Sequence, residues 1–266
     1  KFSDIHLEAS QSPATPNLAF DSHSWPGDTL VVIISTNERI NETQNIRQTW
    51  VADLTARGIP HLFVVGHGND TVNADVLSLD ISDGAEDSPK KILRLFDWIH
   101  KNTEAQFVLK IEDDCYLNVD SFFDSLSYRK HLYYGRIVRK GVGSIDRTTR
   151  IQPAHTGHTK ITLDKSPEPS TFADGDGAYT LSRLAISKLI KIKNSPAARR
   201  LVSNSTREDK LVGDLLALAD IFPSNEDYGS FDRKCMTADS LPIAKGENTF
   251  FPGKSITLPS EKHDKS

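Results

Sequence analysis

Gln106-Phe-Val-Leu-Lys-Ile-Glu-Asp-Asp-Cys-Tyr116 is an apolar run that ends in three consecutive carboxylates, Glu112, Asp113 and Asp114. Residues 107–111 read as a strand buried on both faces, interrupted only by Lys110. Three acids at the end of such a strand repel one another and lose hydration unless a cation neutralises them. A divalent ion carrying a diphosphate meets that need, because carboxylate oxygens suit hard cations such as Mg²⁺ or Mn²⁺. A solvated acidic turn is the plainer reading, but these acids cap a core strand and do not lie within a charge run.

Upstream of that strand, Leu30-Val-Val-Ile-Ile-Ser35 is a second buried strand. A helix is expected over about 42–57, where Ile46, Trp50 and Leu54 recur at spacings of four, with Gly58 and Pro60 stopping it. Two further strands follow at His61-Leu-Phe-Val-Val-Gly66 and Asp75-Val-Leu-Ser-Leu-Asp80. A helix to about residue 101 then opens at Ser88-Pro89, with Ser88 as the expected N-cap. The order β-α-β-β-α-β implies a predominantly parallel sheet wrapped by helices, and in such sheets ligands bind at the carboxyl ends of strands. The acids lie at such an end.

Downstream, a short helix is expected from Val119 to about Leu126 and a strand over Leu132-Tyr-Tyr-Gly-Arg-Ile-Val138. Residues 139–171 read as loop, basic in the first half through Arg139, Lys140, Arg147 and Arg150. A glycine-containing turn, Gly175-Asp-Gly177, leads into a helix near 183–193, and another helix begins at Arg207-Glu-Asp-Lys. Residues 1–28, with Pro13, Pro16, Pro26 and Gly27, look like a stem or arm; 29–237 form the expected catalytic domain, and 238–266 a polar, irregular tail.

Composition excludes several classes. With 266 residues, 37% hydrophobic, 26% charged and a formal net charge of −4, the chain is an ordinary globular protein without a surface suited to nucleic acid. No run reaches the roughly 20 apolar residues of a membrane span. The chain begins with Lys1 and its only methionine is Met236, so an N-terminal segment (signal, anchor or stem) is expected to have been removed. Cys115 and Cys235 are too few for a disulfide scaffold or a four-ligand zinc site, and Cys115 reads as a small core side chain. Sequons at Asn41, Asn69 and Asn204 lean slightly towards a secretory location.

Two further groups bear on chemistry. Glu208 and Asp209 open an apolar helix, where acids complement the helix dipole; alternatively Asp209 is a general base that takes a proton from a hydroxyl. Gly213, one turn later, either permits close packing or is a blemish in the helix. Gly175-Asp-Gly177 is not a dinucleotide fingerprint, since Thr180 stands where the third glycine belongs. The first strand leads into Ser35-Thr36-Asn37, which argues against both a dehydrogenase and a hydrolase of the haloacid type.

In order, Ile46-Arg47-Gln-Thr49-Trp50, Asp87-Ser-Pro-Lys90, Phe107-Val-Leu-Lys-Ile-Glu-Asp-Asp114, Tyr134-Gly135, Gly177-Ala-Tyr179-Thr-Leu-Ser182, and Glu208-Asp209 with Gly213 resemble the β-1,3-galactosyltransferase and β-1,3-N-acetylglucosaminyltransferase superfamily, family 31 of the glycosyltransferases. The resemblance implies a GT-A type α/β fold with a mostly parallel, Rossmann-like sheet flanked by helices. It implies a UDP-sugar donor, Mn²⁺ or Mg²⁺, and inverting transfer of a hexose (galactose, galactofuranose or N-acetylglucosamine) to an oligosaccharide or glycoprotein acceptor. Asp114 is then the direct metal ligand with Glu112 behind it, and Asp209 the base. Arg47, Lys110, Glu112, Asp113 and Gly177 are the residues expected at the donor. The implied location is the Golgi or secretory-pathway lumen, as part of a type II membrane protein. Three features depart from the family pattern: Glu112 replaces the usual aspartate, Asp176 stands where a glycine is expected, and the only histidine downstream of Asp209 is His263. They motivate the alternative of a catalytically silent glycan-binding or chaperone-like relative.

Overall fold

Strands buried on both faces need apolar side chains that alternate between two cores, and the first strand has them. In a computed structural model, which describes residues 28–141, 148–151, 160–226 and 250–252, Leu30 and Val32 of β1 (Thr29–Ile34) enter one core. Val31 and Ile33 enter the other. The remaining strands are β2 (His61–Val65), β3 (Thr71–Asn73), β4 (Val76–Ser78), β5 (Phe107–Glu112), β6 (Cys115–Leu117) and β7 (Tyr133–Gly135). After them come β8 (Ile137–Lys140), β9 (Thr148–Ile151), β10 (Lys160–Leu163), β11 (Ser170–Ala173), β12 (Ala178–Ser182) and β13 (Phe250–Pro252).

Seven strands form the central sheet in the order β3-β4-β2-β1-β5-β12-β7. The pairings orient β1, β2, β4, β5 and β7 one way, and β3 and β12 the other. The mostly parallel α/β architecture expected from the sequence is therefore present. Three antiparallel ribbons, β8–β11, β9–β10 and β6–β13, lie outside it.

The helices are α1 (Gln44–Arg47), α2 (Trp50–Ala56), α3 (Ser88–Asn102), α4 (Val119–Ser125), α5 (Arg183–Lys193), α6 (Arg199–Asn204) and α7 (Glu208–Ala217). Trp50 and Leu54 of α2 and Phe122 and Phe123 of α4 fill one core. Ile92 and Phe96 of α3, Leu189 of α5 and Leu211 and Leu215 of α7 fill the other. The sheet is thus covered on both faces, and β5 is an interior strand between β1 and β12.

Several local expectations are corrected. The helix expected over 42–57 is broken at Thr49, whose hydroxyl donates to the Asn45 carbonyl at 2.9 Å and competes with the helical amide for it. Ser88 is inside α3 and not its cap, because a 3₁₀ turn over Ala85–Asp87 already brings the chain in helically; the Asp87 carboxylate takes Lys90 at 2.6 Å. The strand expected over 132–138 divides at Arg136: β7 stays in the main sheet, and β8 leaves it to pair with β11. Residues 139–171 hold strands where loop was expected, and β3 and α6 were not expected at all. Arg147, Cys235 and the expected stem over residues 1–28 lie outside the described residues, except that Asp28 is buried and accepts from Arg129 at 2.7 Å. So does the tail, except that Phe250–Pro252 pairs with Cys115–Leu117.

Gly213 is where α7 meets β11. A Cβ there would stand 2.9 Å from the Phe172 Cα and 3.0 Å from the Thr171 carbonyl oxygen, both backbone atoms. The packing role, not the blemish, is what the helix shows. Gly213→Ala is expected to destabilise the protein by about 1–3 kcal/mol through overpacking. At roughly 2–4 °C per kcal/mol for a domain of this size, thermal denaturation will register it.

Candidate active site

Parallel pairing in register brings Ile34 of β1 opposite Glu112 of β5, so the carboxyl ends of the two strands lie side by side. The chain turns there, and its middle acid points inward. Asp113 receives the Ser35 hydroxyl at 2.7 Å and the Arg39 guanidinium at 2.7 Å. Burial pushes its carboxyl above the ordinary range, against the pull of those two partners. The strand ends are tied from below by Lys91, which donates to the Ser35 carbonyl and to Asp83, each at 2.6 Å. Asp83 in turn accepts from the Gly66 amide at 2.7 Å and the Asn37 amide at 2.8 Å. Trp50 is a core residue, as expected, and its indole N–H fastens the acidic loop by donating to the Cys115 carbonyl at 3.1 Å.

The turn over residues 174–177 joins this loop to α7. On one side the buried Cys115 thiol lies 3.5 Å from the Asp176 carbonyl oxygen. On the other, the Gly175 amide donates to Asp209 at 3.2 Å, and the Gly175 carbonyl accepts from Lys110 at 2.7 Å. Such closeness requires a glycine at 175, where a Cβ would sit 2.7 Å from the Cβ of Asp209. Glu208 accepts from Lys110 at 2.7 Å and from the Tyr179 hydroxyl at 3.1 Å. Burial pushes its carboxyl up to about 7, although the Lys110 ammonium opposes the shift.

Asp209 is 3% exposed and carries four donors. Arg207 supplies Nε at 3.1 Å and Nη2 at 2.8 Å, the Lys210 amide lies at 2.7 Å, and Gly175 gives the fourth. Four donors fill all the acceptor directions of one carboxylate. Two are fixed backbone amides, and two belong to a movable side chain.

The residues singled out from sequence divide into two groups. Lys110 ties Glu112 through the turn at Gly175 to Asp209, Asp114 and Gly177 both border the Cys115 thiol, and Asp113 lies in the same loop but is held by Ser35 and Arg39. Arg47 does not join them through these contacts; it pairs with Asp75, donates to Thr43 and lies over the Phe63 ring at 3.9 Å. Arg39, 49% exposed, is the arginine at the acids. Lys110, expected at the donor, is 1% exposed beneath the loop. Gly177 borders open space, since a Cβ there would meet nothing within 4 Å. Ser35 and Arg39 were missed because their partner Asp113 lies far along the chain, and Arg207 because nothing in the sequence shows that its side chain turns onto Asp209 two residues on.

Only part of the acidic group is free for a cation. Asp113 is engaged with Ser35 and Arg39, and Glu112 with Lys110. Asp114 is exposed, and its contact is the Cys115 thiol at 3.7 Å. Among the described residues, no three His, Cys, Asp or Glu side chains are arranged to hold an ion. Such a donor set fits a cation that brings most of its ligands with it, as Mg²⁺ does when it keeps waters and phosphate oxygens and takes one or two carboxylates.

Acids gathered at the carboxyl ends of parallel strands define an α/β protein of the kind that binds its ligand at that edge. The galactosyltransferase family model matches residues 41–227, and the chain belongs to that family. Over 236 residues it is 24% identical to β-1,3-galactosyltransferase 4 of Mus musculus, which covers 70% of this chain and 63% of that protein. Over 231 residues it is 25% identical to hydroxyproline O-galactosyltransferase GALT2 of Arabidopsis thaliana, across 74% of this chain and 32% of the plant protein. A shorter similarity, 25% over 117 residues, joins it to UDP-GalNAc:beta-1,3-N-acetylgalactosaminyltransferase 2 of Mus musculus, over 42% of this chain and 21% of that one. The chain thus spans under two thirds of the length of each of these relatives. Among solved structures, the inositol-1-phosphate CTP transferase from T. maritima aligns with a TM-score of 0.38 at 10% identity, over 74% of this chain and 84% of that one.

Proposed function

We propose that this chain is the catalytic domain of an inverting, UDP-sugar-dependent glycosyltransferase that moves a hexose to a hydroxyl of an oligosaccharide or glycoprotein. The observation that carries this reading is the single hydrogen-bonded unit formed by the strand-end acids, the turn at Gly175 and the carboxylates of α7. It links Glu112, two residues before the exposed Asp114, to the buried Asp209 of α7, and so sets a carboxylate open to a diphosphate-borne cation near a second, buried carboxylate.

In this reading Asp114 would hold the cation, Mn²⁺ or Mg²⁺, with Glu112 behind it, and when bound the ion would supply Lewis-acid stabilisation of the UDP leaving group. Arg39 and Asp113 line the donor side. Asp209 accepts the proton of the acceptor hydroxyl, whose oxygen forms a bond to the anomeric carbon while the bond to the phosphate oxygen breaks and UDP leaves with the electron pair. One base on the face opposite the leaving group suffices for inversion. The acceptor reaches Asp209 where the Arg207 guanidinium gives way, since the two amides cannot. A location in the Golgi or secretory-pathway lumen goes with this reading; no helix among the described residues is long and apolar enough to cross a membrane.

The fully occupied acceptor directions of Asp209 also favour a second reading, a catalytically silent, glycan-binding relative. A thermal-shift screen of UDP-sugars with and without Mn²⁺, followed by transfer assays on the binders, separates the two. Binding at a hundred times Kd stabilises by about 2.7 kcal/mol. The transferase reading expects that shift only with the ion present, and transfer from at least one donor. Arg39→Ala is expected to weaken UDP binding by about tenfold, a loss of about 1.4 kcal/mol readable in the same titration, by removing the half-exposed cation beside the acids.

A further inference from the structure

We infer that Lys110 is a positioning residue: it sets the distance between the strand-end acids and the carboxylates of α7, and so holds Asp209 in place against the donor. This inference rests on the transferase reading above.

Lys110 occupies a position where a charge needs a reason. Along β5, Val108 and Lys110 point to the same face, which elsewhere in the sheet carries Leu30, Val32 and Val64 into an apolar core. An ammonium buried there is tolerated only when paired and hydrogen-bonded. Its three donors meet three acceptors on three separate segments: Glu112 of its own strand, the Gly175 carbonyl at 2.7 Å, and Glu208 of α7 at 2.7 Å. None remains for a substrate.

The connections continue to the proposed base. Gly175 accepts from Lys110 through its carbonyl and donates to Asp209 through its amide, so one residue couples the lysine to the aspartate. Glu208, the neighbour of Asp209, is held from two strands. Lys110 takes one oxygen and Tyr179 the other, and Tyr179 is the residue directly opposite Lys110 in the β5–β12 pairing. Removing the ammonium therefore takes away one of the two holds on Glu208 and the support of the Gly175 turn that donates to Asp209, while the exposed Asp114 keeps its contact with the Cys115 thiol. A displacement near 1 Å at a reacting group costs on the order of a hundredfold in rate.

The competing explanation is that Lys110 merely neutralises two carboxylates. The double variant Lys110→Met/Glu208→Gln removes one positive and one negative charge and retains an acceptor for Tyr179. If Lys110 positions the base, this variant binds UDP with Mn²⁺ within about threefold of the parent, keeps the donor KM within about threefold, and loses about a hundredfold in kcat. A kcat near that of the parent overturns the inference, because charge balance alone then suffices; loss of UDP binding also overturns it, by assigning Lys110 to the donor side. Should the double variant fail to fold, Tyr179→Phe decides. It frees one side of Glu208 within an intact ring, and about a tenfold fall in kcat at constant KM supports positioning, whereas an unchanged kcat overturns it. A parent protein that transfers no sugar from any UDP-sugar overturns the transferase reading and this inference with it, an outcome distinct from the others because it appears before any substitution.

Discussion

Asp209→Asn is expected to reduce sugar transfer by about a hundredfold or more, the usual scale for losing a general base, while UDP binding with Mn²⁺ stays within about twofold. Both halves follow from where the side chain sits. Its neighbours are Arg207, Lys210 and Gly175, all on the α7 side of the site, whereas the exposed carboxylate at the strand end is Asp114. An amide cannot take a proton from a hydroxyl at neutral pH. It also offers a donor where the aspartate offered an acceptor, so one of its positions must face the donors now directed at Asp209. Leaving such a pair mismatched in a buried site costs about 1–3 kcal/mol, and the variant will melt lower. Retained donor binding is therefore the control that separates a folded, base-less enzyme from a damaged one. Single-turnover transfer measured alongside UDP titration checks it, and a variant that transfers at the parental rate removes Asp209 from the chemistry.

How far the sequence reached depended on how local each cause is. β1, β2, β5, α3 and α5 were legible because their apolar residues sit at strand or helix spacing, and a buried element must declare itself that way. β3 was not: its three residues, Thr71, Val72 and Asn73, lie at the edge of the sheet and bury little. The break at Thr49 was hidden because Ile46, Trp50 and Leu54 keep helical spacing across it, while the Thr49 hydroxyl decides the geometry. In the site, the acids were legible as a run ending a core strand. Their partners were not, because Ser35 meets Asp113 across 78 residues and Glu208 meets Lys110 across 98. Lys110 illustrates the limit. The family resemblance placed it at the donor, and only the approach of α7 and the turn at Gly175 uses up its donors. Arg47 and Arg39 illustrate it again: both follow the first strand, and the pairing of one with Asp75 and the other with Asp113 is a property of the folded sheet.

Asp114→Ala has the largest expected effect on the donor. Of the three acids it is the one with an exposed carboxylate, since Asp113 is engaged by Ser35 and Arg39 and Glu112 by Lys110. Neither neighbour can replace it without breaking those contacts. The fold will barely notice the change, as the side chain is exposed and its hydrogen-bond contact among the described residues is the Cys115 thiol at 3.7 Å; surface substitutions of this kind usually shift stability by no more than about 0.5 kcal/mol. The expectation is thus a protein that melts like the parent and no longer gains stability from UDP and Mn²⁺ together, a loss of about 2.7 kcal/mol at a hundred times the parental Kd. Isothermal titration of UDP in the presence of Mn²⁺ measures it directly. Equal UDP affinity in parent and variant, or in the parent with and without the ion, would move the diphosphate away from the end of β5 and leave the acids a structural role.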